Sequence, residues 1–125
     1  MRGTVVYIDD EPALCRALRM VFQMLAIDAR LETFEDPKAA LAFIVANDVT
    51  LVICDYRMPA LSGLEVLDRI ERDVPFYVVS GDLDVARFTD SNPRVTGVLA
   101  KPYRPEHLLE LISIHLGPPV PTSQP

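Results

Sequence analysis

The run Leu51-Val52-Ile53-Cys54 ends on a single carboxylate, Asp55, and a proline stands four positions further on, at Pro59. A short continuous apolar run bounded by turn residues predicts a strand buried on both faces. Such strands occur where helices cover both sides of a parallel sheet, so this stretch narrows the fold to an α/β layer structure. Asp55 would close the strand at its C-terminal end, the edge where ligands bind in open α/β sheets. Carboxylates are rarely buried unless paired or bound to a cation. A lone aspartate at a strand end is about as often a turn former or a helix cap, so the rest of the chain decides its role.

Read in order, the chain repeats one pattern. Thr4 to Ile8 is β-branched, aromatic and continuous, a second buried strand, and it stops at Asp9-Asp10-Glu11-Pro12. Pro12 suits a first helical turn. Leu14, Leu18, Val21, Phe22 and Leu25 then fall on one face at the 3.6-residue period. Ala29 to Phe34 alternates in polarity and fits an edge strand. Asp36-Pro37 is a helix cap followed by a first-turn proline, and the helix it opens carries Ala40, Leu41, Ile44 and Val45 inward. After the Asp55 strand, Ser62 caps a helix with Leu64, Leu67 and Ile70 on one side. Phe76 to Val79 is the next buried strand and ends at Ser80-Gly81. The stretch 82–91 is only weakly periodic and stops at Asn92-Pro93. Val95 to Ala100 reads as the fifth strand, ending at Lys101-Pro102. Pro105 opens a last helix with Leu108, Leu111, Ile112 and His115 in a stripe, and Gly117 ends it.

Strand and helix alternate through five rounds. Right-handed crossovers then give a doubly wound, five-stranded parallel sheet covered on both faces. The polar strand at Ala29 to Phe34 belongs at an edge, which sets the first and third strands side by side. The strand order reverses between them, and a crevice opens at their C-terminal ends.

Composition removes several function classes. The chain has 125 residues, half of them hydrophobic, enough for one domain with one core. A formal net charge of -6 without a basic patch makes a poor binder of nucleic acid or anionic membrane. No apolar run reaches the ~18 residues of a membrane span. Cys15 and Cys54 form neither a CxxC nor a zinc pattern and read as buried reduced thiols. These features point to a cytoplasmic protein.

Asp9, Asp10, Asp55, Ser80 and Lys101 all fall at C-terminal strand ends. Crowded carboxylates repel and raise one another's pKa values unless a cation is present. Oxygen-only ligands favour a hard cation such as Mg²⁺. A hydroxyl and an ammonium beside such a site supply a donor and a charge for a tetrahedral anion. Phosphoryl transfer to an aspartate uses this set: a carboxylate nucleophile, Mg²⁺ and a charge clamp.

Four motifs now stand in order: Asp9-Asp10-Glu11-Pro12; Asp55-Tyr56-Arg57-Met58-Pro59 with Gly63; Val79-Ser80-Gly81; and Lys101-Pro102-Tyr103. Each alone is common, but their order at strand ends is specific. The chain resembles the receiver (CheY-like) domain of two-component response regulators over about residues 4–116. The resemblance implies a flavodoxin-like α/β fold with strand order 2-1-3-4-5, occupying residues 1–116. Residues 117–125 then form a Pro-rich, disordered or extended tail. It further implies that Asp55 accepts a phosphoryl group from a sensor histidine kinase or a histidine phosphotransfer protein. Asp10, Asp55 and the backbone carbonyl of Arg57 would hold Mg²⁺ directly, and Asp9 through water. Ser80 would hydrogen-bond the phosphoryl group, Lys101 would pair with it, and Gly81 would leave room for the donor. Arg57 and Asp82, which flank the phosphoryl group in this family, would pair over it. A phosphorylated receiver switches its binding to a downstream protein target; it is a signalling relay rather than a turnover enzyme, with no nucleic-acid contact of its own.

Two alternatives share the fold or the chemistry. One is an interaction module that signals without phosphate, disfavoured because no member of the site is missing. The other is a Mg²⁺-dependent phosphohydrolase of the haloacid dehalogenase type, which wants a second aspartate where Arg57 stands. His107 and His115 read as surface or structural residues. One position departs from the family pattern: receivers usually carry Tyr or Phe three residues before the lysine, and this chain has Val98 there.

Overall fold

The computed structural model describes residues 3–81 and 92–117. The weakly periodic stretch 82–91, with Asp82, and the Pro-rich tail 118–125 lie outside the described residues. Five strands, β1 (Thr4–Ile8), β2 (Arg30–Phe34), β3 (Leu51–Asp55), β4 (Phe76–Ser80) and β5 (Gly97–Ala100), form one sheet in the order β2-β1-β3-β4-β5. Every pairing is parallel. The described helices are α1 (Pro12–Met24), α2 (Pro37–Ala46), α3 (Gly63–Asp68) and α4 (Pro105–Leu116). This is the doubly wound arrangement that the alternating runs predict, and the β1/β3 neighbourhood is its switch point.

Strand periodicity divides the core in two. Val6, Ile8, Val52, Cys54, Phe76 and Val78 face α2 and α3, packing on Ala40, Ile44, Val66 and Leu67. Val5, Tyr7, Leu51, Ile53, Tyr77 and Val79 face α1 and α4, packing on Cys15, Leu18, Phe22, Leu108 and Ile112. All five residues of β3 are buried, as its uninterrupted apolar run requires.

Several helix faces differ from the sequence reading. In α1 the buried residues are Cys15, Leu18 and Phe22, while Leu25 is 54% exposed because the helix has already ended at Met24. In α2 Ala40 and Ile44 point inward, and Val45 is 77% exposed. Phe43 takes the flank instead, its ring centroid 5.5 Å from that of Phe34. In α3 the inward pair is Val66 and Leu67, with Leu64 only partly buried; Ile70 is buried, but beyond the helix end. β5 starts at Gly97 rather than Val95. A hydrogen bond from the Thr96 amide to the Phe76 carbonyl (2.8 Å) still ties that approach to β4.

Polar signals hold where they were placed. The Asp36 side chain accepts from the Lys38 amide at 3.0 Å. Ser62 and Glu65 form a reciprocal capping box. Gly117 follows α4 at φ 88°, a conformation that suits glycine.

Candidate functional site

Asp9 follows β1, Asp55 ends β3, Ser80 ends β4 and Lys101 follows β5, so adjacent strands deliver all four to one edge. Backbone bonds extend the sheet pattern past the strand ends. The Tyr56 amide donates to the Val79 carbonyl (2.8 Å), and the Lys101 amide to that of Ser80 (2.9 Å). Asp9, Asp55 and Ser80 are the buried polar side chains among the described residues, while Asp10 is half-buried and Arg57 exposed. Gly63 matters for packing: a Cβ there would lie 2.8 Å from the Asp55 carbonyl oxygen. The start of α3 therefore presses on the backbone that carries Asp55. A Cβ on Gly81 would meet nothing within 4 Å, which leaves the space beside Ser80 open.

Carboxylate oxygens of Asp9, Asp10 and Asp55 lie within 4.8 Å of one another. Lys101 Nζ sits among them, 3.2 Å from Asp55 Oδ1, 3.6 Å from Asp9 Oδ2 and 3.7 Å from Glu11 Oε1. Burial raises the Asp55 pKa and the nearby Asp9 charge raises it further, and Lys101 only partly offsets them. Burial alone would lower the Lys101 ammonium, but Asp9, Asp55 and Glu11 outweigh it and hold the pKa above its ordinary value. A crowded, oxygen-only donor set with one ammonium is matched to a small hard cation and an anion bound together.

Three polar partners escaped the sequence reading. Glu11 is the third carboxylate on Lys101. Tyr7 donates its hydroxyl to Asp9 Oδ2 at 3.1 Å, and the Tyr103 hydroxyl lies 2.7 Å from that of Tyr7. A signal was present for Tyr7, because residues two apart in a strand share a face and Asp9 is two residues on. Both cysteines are buried free thiols that donate to site backbone: Cys15 to the Asp9 carbonyl, Cys54 to that of Asp55. Burial pushes the Cys15 thiol up to about 11 and Cys54 well above its ordinary value, so both stay protonated at neutral pH. His107 is exposed, and His115 bonds the Tyr77 hydroxyl through Nε2 at 2.7 Å, away from the site.

The sequence matches the response regulator receiver domain family over residues 5–113. The chain belongs to that family. It is 33% identical over 111 residues to the cyclic di-GMP phosphodiesterase response regulator RpfG of Xanthomonas campestris, an alignment covering 83% of this chain and 29% of that protein. Identity to the transcriptional regulatory protein FlgR of Helicobacter pylori is 32% over 109 residues, or 86% of this chain and 28% of FlgR. The chain thus spans less than a third of either relative. Among solved structures, full-length FixJ from B. japonicum superposes with a TM-score of 0.77 at 25% identity, covering 90% of this chain and 57% of that one. The chemotaxis response regulator CheY4 of Vibrio cholerae gives 0.78 at 22% identity, covering 91% and 98%, a likeness of fold. Phosphorylation on aspartate is the standard mechanism of the family. Among the described residues no helix is long and apolar enough to cross a membrane.

Proposed function

We propose that Asp55 is the phosphoacceptor of this receiver, with a sensor histidine kinase or a histidine phosphotransfer protein as donor. An Asp55 carboxylate oxygen forms the new P–O bond as the bond from phosphorus to the donor's leaving group breaks. Lys101 and Ser80 engage the transferred oxygens, the first by charge and the second by a hydroxyl hydrogen bond. Asp10, Asp55 and the Arg57 carbonyl would hold Mg²⁺ directly and Asp9 through water; bound there, Mg²⁺ would neutralise charge on the phosphoryl oxygens. The observation that carries this reading is the 3.2 Å pair of Lys101 with a buried Asp55, beside two further carboxylates. The domain works as a switch that alters binding to a downstream protein. Its buried free thiols suit a cytoplasmic setting. Phosphodiesterase and transcriptional activities belong to the named relatives; the output fed by this chain is a protein partner.

The test is labelling by acetyl phosphate with and without Mg²⁺, read by intact-mass spectrometry. Wild type gains one phosphoryl group only with Mg²⁺, and Asp55→Asn gains none. Full labelling of Asp55→Asn, or labelling that ignores Mg²⁺, rejects the assignment.

A further inference from the structure

We infer that the Tyr7 hydroxyl, itself held by Tyr103, is a positioning group that fixes the Asp9 carboxylate for metal binding. The inference rests on the metal reading above and deepens it. Asp9 is fully buried, and both its oxygens have protein partners. Oδ1 accepts the Glu11 amide at 3.0 Å, while Oδ2 accepts the Tyr7 hydroxyl and pairs with Lys101. With both oxygens engaged, the carboxylate is held in one orientation beside Asp10 and Asp55.

The polarity of the relay follows from counting protons. A carboxylate only accepts, and a tyrosine hydroxyl carries one proton. Tyr7 spends its proton on Asp9, so the 2.7 Å bond between the rings is donated by Tyr103 to the Tyr7 oxygen. Donation into Tyr7 strengthens its own donation to Asp9. Tyr7 is fully buried in β1 and packed against the α1/α4 side of the sheet, so its ring has no freedom to turn away. Tyr103, two residues after Lys101, brings the second hydroxyl from across the sheet. Groups that orient a metal's ligands change affinity by roughly 10–100-fold when removed. A single hydroxyl on a water-mediated ligand belongs at the lower end of that range.

The experiment is Mg²⁺ titration calorimetry on wild type, Tyr7→Phe, Tyr103→Phe and the double variant, with melting temperatures in chelator alongside. Tyr7→Phe should bind Mg²⁺ about 10-fold more weakly, and Tyr103→Phe about 2–3-fold more weakly, since Tyr7 still donates to Asp9. The double variant should be no weaker than Tyr7→Phe, because Tyr103 acts only through Tyr7. A purely structural role would lower the melting temperature of the variants and leave Mg²⁺ affinity unchanged. Wild type that binds with Tyr7→Phe within twofold of it overturns this proposal alone. Wild type that does not bind Mg²⁺ overturns the metal reading and this proposal together. Should Tyr7→Phe fail to fold, Tyr103→Phe decides, and affinity equal to wild type overturns the relay.

Discussion

Lys101 Nζ lies 3.2 Å from Asp55 Oδ1 and 3.6 Å from Asp9 Oδ2, so one ammonium bridges two buried carboxylates from different strands. Among the described residues it is a counterion shared by the carboxylates that follow β1 and end β3. Lys101 and a divalent cation therefore compete for the same negative charge, and the variant Lys101→Met separates the two. Its metal-free form should be less stable by about 2 kcal/mol, the scale of a hydrogen bond to a charged partner. Its Mg²⁺ affinity should rise several-fold, because a positive neighbour is gone. Chelator-treated urea melts and calorimetric titration read the two effects; weaker Mg²⁺ binding by Lys101→Met would contradict the competition.

Asp55 makes a pH prediction whose sign is fixed by its raised pKa. Protonation is favoured in the folded state, so this group's contribution to stability is fully present below the ordinary value of 3.8. It is lost as pH rises through the higher folded value. Metal-free wild type should thus lose stability over that window, while Asp55→Asn shows no such loss and is the more stable of the two at neutral pH. Mg²⁺ affinity of wild type should climb over the same window, as the competing proton leaves. Melting temperatures in chelator across acid to neutral pH check the first, and an Asp55→Asn curve parallel to wild type would reject the cause given.

The layers of this fold were legible because parallel strands buried on both faces write continuous apolar runs; β1 was read at its true bounds and β3 closes on Asp55 as expected. The placement of Asp9, Asp55, Ser80 and Lys101 at one edge of the sheet was legible for a related reason, since a strand end fixes where a polar residue emerges. Helix faces were less so. Val45 and Leu25 fit an inward period, yet both are exposed where their helices end, at Ala46 and Met24. Cross-strand partners were least legible. Tyr7 reaches Asp9 along its own strand, but Tyr103 meets Tyr7, and Glu11 meets Lys101, only after β1 and β5 have taken their places in the sheet.

Arg94 carries a stability prediction that no motif announces. Its guanidinium donates to the carbonyls of Leu67 (3.1 Å), Ile70 (2.6 Å) and Arg72 (3.1 Å). These lie at and beyond the end of α3, a helix of six residues with few bonds of its own. Terminal carbonyls need partners, and a planar fork serves several at once where an ammonium serves fewer. Arg94→Ala should cost about 2 kcal/mol of unfolding free energy and Arg94→Lys roughly half of it. Denaturation midpoints measure both, and an Arg94→Ala midpoint equal to wild type would show that water replaces the arginine without loss.

Readout of phosphorylation gives the last prediction. A receiver signals by shifting an equilibrium between two conformations, and phosphate can shift it only through contacts that differ between them. The position where the family resemblance leads one to expect an aromatic is Val98 here, in register with Val78 and packed on the α2/α3 side of the core. A β-branched side chain is stiff at χ1 and too short to swing between buried and exposed poses. The groups wired to the acceptor lie elsewhere. Ser80 is tied to the Lys101 amide, and Tyr56 to both Val79 and Gly63. Tyr103 lines the cleft of about 430 Å³ between α1 and α4, beside Lys101, Leu14 and Leu108. Under the proposed function Lys101 would turn from Asp9 toward the phosphoryl group, and the hydroxyl chain through Tyr7 to Tyr103 would then lose its present balance of charge. Chemical-shift changes on phosphorylation should therefore concentrate at Tyr56, Gly63, Ser80, Lys101 and Tyr103, with Val98 and Val95 changing least. Shifts at Val98 as large as those at Ser80 would show that β5 carries the signal without its aromatic, and that the cleft beside Tyr103 is not the surface the phosphate controls.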